Sequence, residues 1–396
     1  MNVILFDDAT RNDLLPLVYT RPVADIRIGI VTIREKWEKR LNCQSSNLLE
    51  PMLRKKYALK LERENLLING AVLPTNELVK EVSQLELNEK LVDGDITVAA
   101  RIDEALLHQI IEKSIPVEKI DVVKKTSQFD NKKVRHLWDV FQLNDQEIKA
   151  DFHLLTFGRK SQEVNKTNTV IGDQIFIEQG AKVSCSILNT ETGPIYIGKN
   201  AEVMEGSIIR GALALCDHAT LKLGTKIYGA TTIGPHSKIG GEVNNSVVFG
   251  YSNKGHDGFM GNSVLGEWCN LGADTNTSNL KNNYGEVQVW NYPKKKLTSS
   301  EQQFVGLVMG DHSKSGINTM FNTGTVVGVC SNVFGGNFPD KFIPSFSWGG
   351  ASGFVDFDLD KAFDVAERVM SRRGVQLNSD DREILEEIFN RATLLK

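Results

Sequence analysis

A chain of 396 residues is too long for a single compact core, and 41% hydrophobic with 24% charged residues is the balance of an ordinary soluble globular protein. The formal net charge of -4 excludes a broadly basic surface, so neither nucleic acid nor an anionic membrane is expected as a partner. Cysteines 43, 185, 216, 269 and 330 form no CxxC pair, which excludes a disulfide framework and a zinc knuckle. The apolar run Val3 to Phe6 is too short for a signal peptide, and no stretch is long enough to span a bilayer. A cytoplasmic location is the expectation.

In chain order, "VILF" predicts a short buried strand, "VTIREKWEKRL" an amphipathic helix, "NLLING" a second strand and "DITVAARID" a third. Strands alternating with helices predict an α/β sheet domain over 1–155. The polar, unperiodic stretch "TFGRKSQEVNKTN" supplies a linker over 156–168. From Ile197 an aliphatic residue then recurs at every sixth position, through Val203, Ile209, Leu215, Leu221, Ile227 and Ile233 to Ile239. Ile171, Ile177 and Val183 precede this run, and Phe259, Leu265 and Leu271 follow it. Positions six apart lie on nearly opposite sides of a helix, so this rhythm is not helical. It fits hexapeptide repeats of a parallel β-helix with three short faces per coil over 169–355, one aliphatic side chain pointing inward from each face. Gly198, Gly234, Gly240, Gly266 and Gly272 directly follow inward positions and Gly224 lies midway between two, where glycine or asparagine is expected at tight corners. Beyond residue 356 the rhythm turns helical. Leu359, Phe363, Ala366, Val369 and Met370 form one apolar stripe, Gly374 stops it, and Ser379 is placed to cap a second helix. A helical segment over 356–396 is expected to cover the open edge of the last coil.

Within the repeats, "GYSNKGHDGFMGN" breaks the aliphatic rhythm and places Lys254, His256 and Asp257 together among glycines. An amine attacking a thioester must lose a proton, and imidazole titrates nearest neutral pH, so a histidine here suits a general base. The bland alternative is a histidine that hydrogen-bonds a corner. An α/β domain followed by such a β-helix resembles the bifunctional UDP-N-acetylglucosamine pyrophosphorylase/glucosamine-1-phosphate acetyltransferase family. "LLPLVYTRPVADIRIGIVTIREKW" and "GYSNKGHDGFMGNSVLGEWCNLGADTNTSNLKNNYG" are similar to its divergent bacterial branch, described as sugar nucleotidyltransferases with an acyltransferase-type repeat domain.

The resemblance implies a left-handed β-helix, a homotrimer, acetyl-CoA as donor and a sugar phosphate as acceptor. In the family pattern a lysine and a histidine precede an aromatic residue and a glycine. Lys254, His256, Phe259 and Gly261 match it, which makes His256 the base and Lys254 a sugar-phosphate ligand. Asp257 either orients the ring or faces solvent. "LGADTNTSN" places Ala273 at the acetyl-CoA thioester and Asn279 on the sugar; Leu280 stands where a tyrosine is expected, with Tyr284 close enough to substitute. "MGDHSKSGINT" places Gly316 and Ile317 beside acetyl-CoA. Lys294 to Lys296 either meet phosphates or form a solvated loop. The family's phosphate-binding lysine is Asn244 here, and Lys226 matches its arginine loosely. Asparagine hydrogen-bonds a phosphate without neutralising it, so the acceptor is open. His218, His236, His256 and His312 lack the paired spacing of a zinc hydrase.

In the first domain the resemblance implies a nucleoside triphosphate substrate and Mg²⁺, yet "FDDATRNDLLP" lacks the family's phosphate-cradling glycines. Arg11 is placed like that loop's arginine, and Arg21 of "TRPV" like the later cation. Asp8 and Asn69 complete the nucleotide-binding candidates. Ala71 stands at the magnesium aspartate's position, which leaves Asp7 as the candidate metal ligand. Three readings remain open at this point. The first is acetyl transfer coupled to uridylyl transfer; the second is nucleotidyl transfer alone, with the β-helix for assembly; the third is a non-catalytic nucleotide-sugar-binding protein.

Overall fold

The computed structural model describes residues 2–393, which form two compact units. The first comprises Met1–Leu14, Thr20–Ile26 and Val31–His136; the second comprises Leu15–Tyr19, Arg27–Ile30 and Leu137–Lys396.

The first unit is built on a mixed sheet of β1 (Asn2–Phe6), β2 (Ser45–Leu48), β3 (Glu64–Asn69), β4 (Glu89–Asp93), β5 (Ile96–Asp103) and β6 (Val123–Thr126), in the order β2-β1-β3-β5-β4-β6. β1 runs parallel to both β2 and β3, while β5 is antiparallel to β3 and β4. Apolar side chains bury β1 on both faces, so its sequence reads as a continuous hydrophobic run. Helix α1 (Ile33–Leu41) starts at a reciprocal cap. Glu35 N–H donates to Thr32 Oγ1 at 3.2 Å and Thr32 N–H donates to Glu35 Oε2 at 2.7 Å. Trp37 on its buried face donates its indole N–H to the Val72 carbonyl at 2.9 Å. Helix α2 (Asn76–Ser83) follows β3, and α3 (Glu104–Lys113) packs Leu107 and Ile110 against Ile4, Phe6 and Leu67. The C-terminal ends of β1 and β3 thus present Asp7, Asp8 and Asn69, the end of an open α/β sheet at which ligands gather.

The second unit is a three-faced parallel β-helix. Its first face has eight strands, from Thr169–Ile171 to Met320–Phe321. The second has nine, and the third has ten, closed by the antiparallel strand Gly353–Asp356. The eight aliphatic residues from Ile197 to Ile239 are each at most 2% exposed and stack coil upon coil, Ile197 on Leu215 on Ile233. The rhythm is right but its phase slips at both ends. Val170 pairs with the inward Leu188, which turns Ile171 outward at 41% exposure. After the short corner Gly240-Gly241 the inward slots pass to Val243, Val248, Lys254 and Met260, so Phe259 is half-buried on the outer face.

The corners also differ from expectation. Between the second and third faces the left-handed residue is Asn200, His218, His236, Tyr251, Trp268, His312, Cys330 and Phe346 in successive coils, with φ between 50° and 61°. The rings from His218 to His312 stack with centroids 4.2–6.2 Å apart. Gly234 and Gly272 are not left-handed; a Cβ on either would strike the backbone of the next coil, so close approach is what demands glycine there.

Two segments from the chain's first thirty residues belong to this unit. Gly29 N–H donates to Asn144 Oδ1 at 2.8 Å and Ile30 N–H to Asp151 Oδ2 at 2.8 Å, both acceptors lying on α5 (Asn144–Thr156), which follows the short α4 (Asp139–Gln142). Residues 280–304 leave the coil as an insertion carrying the hairpin Gln288–Asn291/Lys296–Ser299. Helices α6 (Leu359–Ser371) and α7 (Ser379–Thr393) end the described chain, and Gly374, at φ 70°, follows α6 as expected. The cap of α7 is Asn378, not Ser379: Asn378 Oδ1 accepts the Asp381 N–H at 2.9 Å. Phe389 of α7 meets Phe346 of the last coil edge-on at 5.1 Å, while the hairpin strand Gly353–Asp356 blocks the sheet edge itself. No helix among the described residues is long and apolar enough to cross a membrane.

Candidate functional site

The turn from third to first face stacks one corner on the next. Lys222-Leu223, Gly240-Gly241, Gly255-His256-Asp257 and Ala273-Asp274 line a cleft of about 490 Å³. Gly316 belongs to the same column, since a Cβ on Gly272 would meet its carbonyl carbon. His256, Ala273, Gly316 and the exposed Ile317 therefore share one corner, although they are spread over 61 positions of sequence. The His256 imidazole is exposed and makes no hydrogen bond among the described residues. Its loop requires glycine at one position: Gly258 takes φ 116°, and a Cβ there would strike the Thr275 carbonyl oxygen. Asp274 N–H donates to the Asp257 carbonyl at 3.1 Å, tying this corner to the next.

Lys254 is not where a sugar-phosphate ligand would be. It occupies an inward slot, pairs with Ile239 in register, and is 1% exposed. Its ammonium donates to the carbonyl oxygens of Gly240 at 3.0 Å and His256 at 2.9 Å. Burial pushes its pKa down to about 8, while Asp257 and Asp274 pull it upward. Sequence reasoning missed Lys222, which lines the cleft as its cation, and Asp274, which joins Asp257 as a second carboxylate. Their corner positions are visible once the six-residue register is laid out, so a signal existed.

The remaining acceptor candidates lie along the outer side of the first face. Lys226, Glu242 and Phe259 are in register, as are Tyr228, Asn244 and Gly261. Tyr228 donates to Glu242 Oε1 at 2.6 Å. Asn279 donates to Asn262 Oδ1 at 2.8 Å at the far end of the strand Phe259–Gly261. Gly261 is packed beneath its neighbours: a Cβ there would meet both the Asn279 amide and the Phe259 ring at 2.6 Å. Tyr284 is 68% exposed in the insertion and is not among the residues lining the cleft, and neither are Lys294 to Lys296.

In the first unit, Asp7 and Asp8 diverge from the end of β1. Asp7 accepts from Arg11 Nη1 at 2.7 Å and the Val23 N–H at 3.0 Å; burial lifts its pKa to about 6 against the pull of Arg11. Arg11 also donates to Glu50 at 2.8 Å and to the Arg21 carbonyl at 2.9 Å. The Arg21 side chain is buried, with Thr20 Oγ1 at 3.3 Å. Asp8 accepts from Lys133 Nζ, from Asn69 Nδ2 at 2.8 Å and from the Thr10 N–H at 3.0 Å. Burial raises the Asp8 pKa, but Lys133, Asn69 and Thr10 outweigh it and hold the carboxyl below the usual value. Lys133 lies 125 positions from Asp8, and nothing in the local sequence pairs them.

This arrangement does not suit a divalent cation. Both carboxylates are tied to cations and amides, and no cluster of three His, Cys, Asp or Glu side chains exists among the described residues. The magnesium role expected of Asp7 is corrected accordingly. A cleft of about 430 Å³ nevertheless opens beside this network, lined by Asp7, Asp8, Arg11, Glu50, Arg54 and the apolar face of Ile110 and Ile111.

Residues 3–160 match the family model described as sugar nucleotidyl transferase. The first part of the chain is thus similar to sugar nucleotidyl transferase domains, and a hexapeptide-type β-helix follows it. Parts of the chain are similar to bifunctional nucleotidylyltransferase/acetyltransferases. It is 32% identical over 127 residues to the bifunctional protein GlmU of Methanocaldococcus jannaschii, covering 32% of this chain and 26% of that protein. It is 28% identical over 146 residues to a bifunctional sugar-1-phosphate nucleotidylyltransferase/acetyltransferase of Sulfurisphaera tokodaii, covering 36% of each. With the bifunctional protein GlmU of Methanococcus maripaludis it shares 27% over 195 residues, 49% of this chain and 41% of that one. The matched segments thus span between a quarter and two fifths of these relatives.

Proposed function

We propose that this protein acts in nucleotide-sugar biosynthesis, transferring an acetyl group from acetyl-CoA to the amine of an amino-sugar 1-phosphate at the His256 corner. The first unit supplies the coupled nucleotidyl transfer that yields an NDP-sugar. The observation that carries the reading is an exposed imidazole, engaged by no described residue, fixed on a glycine corner beside Ala273 and Gly316.

The chemistry follows from this chain's own groups. The acceptor amine attacks the thioester carbonyl, an N–C bond forms and the C–S bond breaks. His256 takes the proton from nitrogen and returns it to the departing thiolate. Asp257 and Asp274 make the cleft attractive to an amino group, and Lys222 is the lining cation that faces a phosphate. The small residues at Ala273 and Gly316 leave space for the thioester. A sugar laid across Phe259–Gly261 would meet an aromatic ring and the amides of Asn244 and Asn279.

In the first unit, Lys133, Asn69 and the Thr10 N–H are the donors available to a phosphate, and Asp8 now holds them. That pairing favours a second reading for this unit, in which it binds the nucleotide sugar without chemistry. The working assembly is a trimer in the cytoplasm, checked by light scattering on the purified protein.

The test is thiol release from acetyl-CoA with glucosamine-1-phosphate, run beside pyrophosphate release from UTP with the acetylated sugar phosphate. Wild type releases thiol, and His256→Ala, still folded and assembled, loses about 100-fold or more. Equal release by both proteins removes His256 from the chemistry. No pyrophosphate release from wild type leaves the first unit as a binding module.

A further inference from the structure

The third-face column of inward residues reads Val203, Leu221, Ile239, Lys254, Leu271, Ser315, Val333. A lysine in such a column is out of place on physical grounds. Burying an ammonium costs several kcal/mol unless it is well partnered, and a methionine or leucine would fill the slot without that cost. The partners it does have are informative. The side chain turns back toward the corner and donates to Gly240 O on the preceding coil and His256 O on its own coil. It joins two successive corners at the peptide that carries the candidate base.

The next coils show the same device at the same corner. Thr275 Oγ1 and the inward Ser315 Oγ lie 2.9 Å apart, Thr275 Oγ1 donates to the Gly316 carbonyl at 3.3 Å, and the Gly272 N–H donates to Ser315 Oγ at 3.2 Å. Polar side chains enter this column at Lys254 and Ser315, while Val203, Leu221, Ile239, Leu271 and Val333 keep it aliphatic.

We infer that Lys254 is a positioning residue: from inside the β-helix its ammonium clamps the Gly240 and His256 carbonyls and so sets the height and orientation of the His256 imidazole over the cleft. This rests on the reading of His256 as the base, but the clamp itself is a statement about backbone order and is testable without any reaction. It also replaces the surface role in sugar-phosphate binding that the sequence pattern suggested.

The experiment compares wild type with Lys254→Met, which fills the slot and removes both hydrogen bonds. Two readouts are taken from each intact protein: amide hydrogen exchange by mass spectrometry, and kcat and KM for acetyl-CoA and glucosamine-1-phosphate. The expected result is exchange faster by at least tenfold at Gly240, Glu242 and Asp274, whose N–H groups donate to the carbonyls of Lys254, Gly258 and Asp257, with the coils around Ile209 and Val327 unchanged. It comes with a kcat at least tenfold lower and KM values within twofold of wild type. Lys254→Gln, which retains a donor of similar reach, recovers part of both.

Unchanged exchange at Gly240, Glu242 and Asp274 overturns the clamp, whatever the rates do. Faster exchange with unchanged kcat overturns its service to His256. A rise in KM with kcat preserved returns Lys254 to a binding role. Should wild type transfer no acetyl group at all, the base reading fails, and the exchange data alone then uphold or overturn the clamp.

Discussion

Lys254 carries a titration signature that no surface lysine would show. Its folded pKa is about 8 against 10.5 for the free side chain, so between those values the unfolded chain binds a proton that the folded chain lacks. Stability therefore rises with pH across that window and is penalised below it. Lys254→Met has no such term. The stability of wild type relative to the variant should gain about 1.4 kcal/mol per pH unit between pH 8 and 10, read by urea unfolding at several pH values. A flat difference would mean that the ammonium is not desolvated.

The Asp8–Lys133 pair behaves in the opposite sense. Asp8 is held below its ordinary value, so its contribution is complete above about pH 4 and fades as acid protonates it. Lys133→Met strands a buried carboxylate at a cost of about 3 kcal/mol at pH 7. The gap to wild type should narrow as the pH falls toward 4, measured in the same way.

At the scale of the element, the corner ladder replaces glycine with side chains that earn a left-handed backbone through stacking. His218, His236, Tyr251, Trp268 and His312 lie face to face along one edge of the β-helix. Burial, then the neighbouring His218 and Arg373, push the His236 pKa down, with Asp217 opposing. A depressed histidine favours the neutral folded state, so its contribution is intact at pH 7 and above. It is lost as the pH falls below the free value near 6.5. His236→Phe keeps the stacking surface and removes the titration. The variant should lose less thermal stability than wild type between pH 7 and pH 5, by a few degrees in Tm. Equal acid sensitivity would place the titrating group elsewhere in the ladder.

At the scale of the molecule, a β-helix is nearly one-dimensional, each coil resting on two neighbours. Amide exchange should therefore be slowest in the central coils from Val203 to Val333. It should quicken toward Thr169–Ile171, whose strand has a partner on one side only and whose Val170 and Ile171 are both 41% exposed. The far end carries Gly353–Asp356, α6 and α7, and should be better protected. Uniform protection along the axis would show that the coils unfold as one body.

The six-residue rhythm, the α/β alternation before it and the helices after it were legible in the sequence, because each depends on local spacing and burial alone. The grouping of His256 with Ala273, Gly316 and Ile317 came from the family resemblance, because the register slip at Gly240-Gly241 and the insertion before Val308 hide that corner from spacing alone. Other features were decided only by the tertiary structure. Lys254 points inward because the short Gly240-Gly241 corner shifts the register, which no single repeat reveals. Asp8 meets Lys133 across 125 positions, and Gly29 and Ile30 meet α5 across more than 110, through folding that brings distant segments together. Periodicity is a property of neighbours along the chain and can be read there. Whether a charged group faces a substrate, an ion partner or the backbone of the next coil depends on what lies opposite it in space.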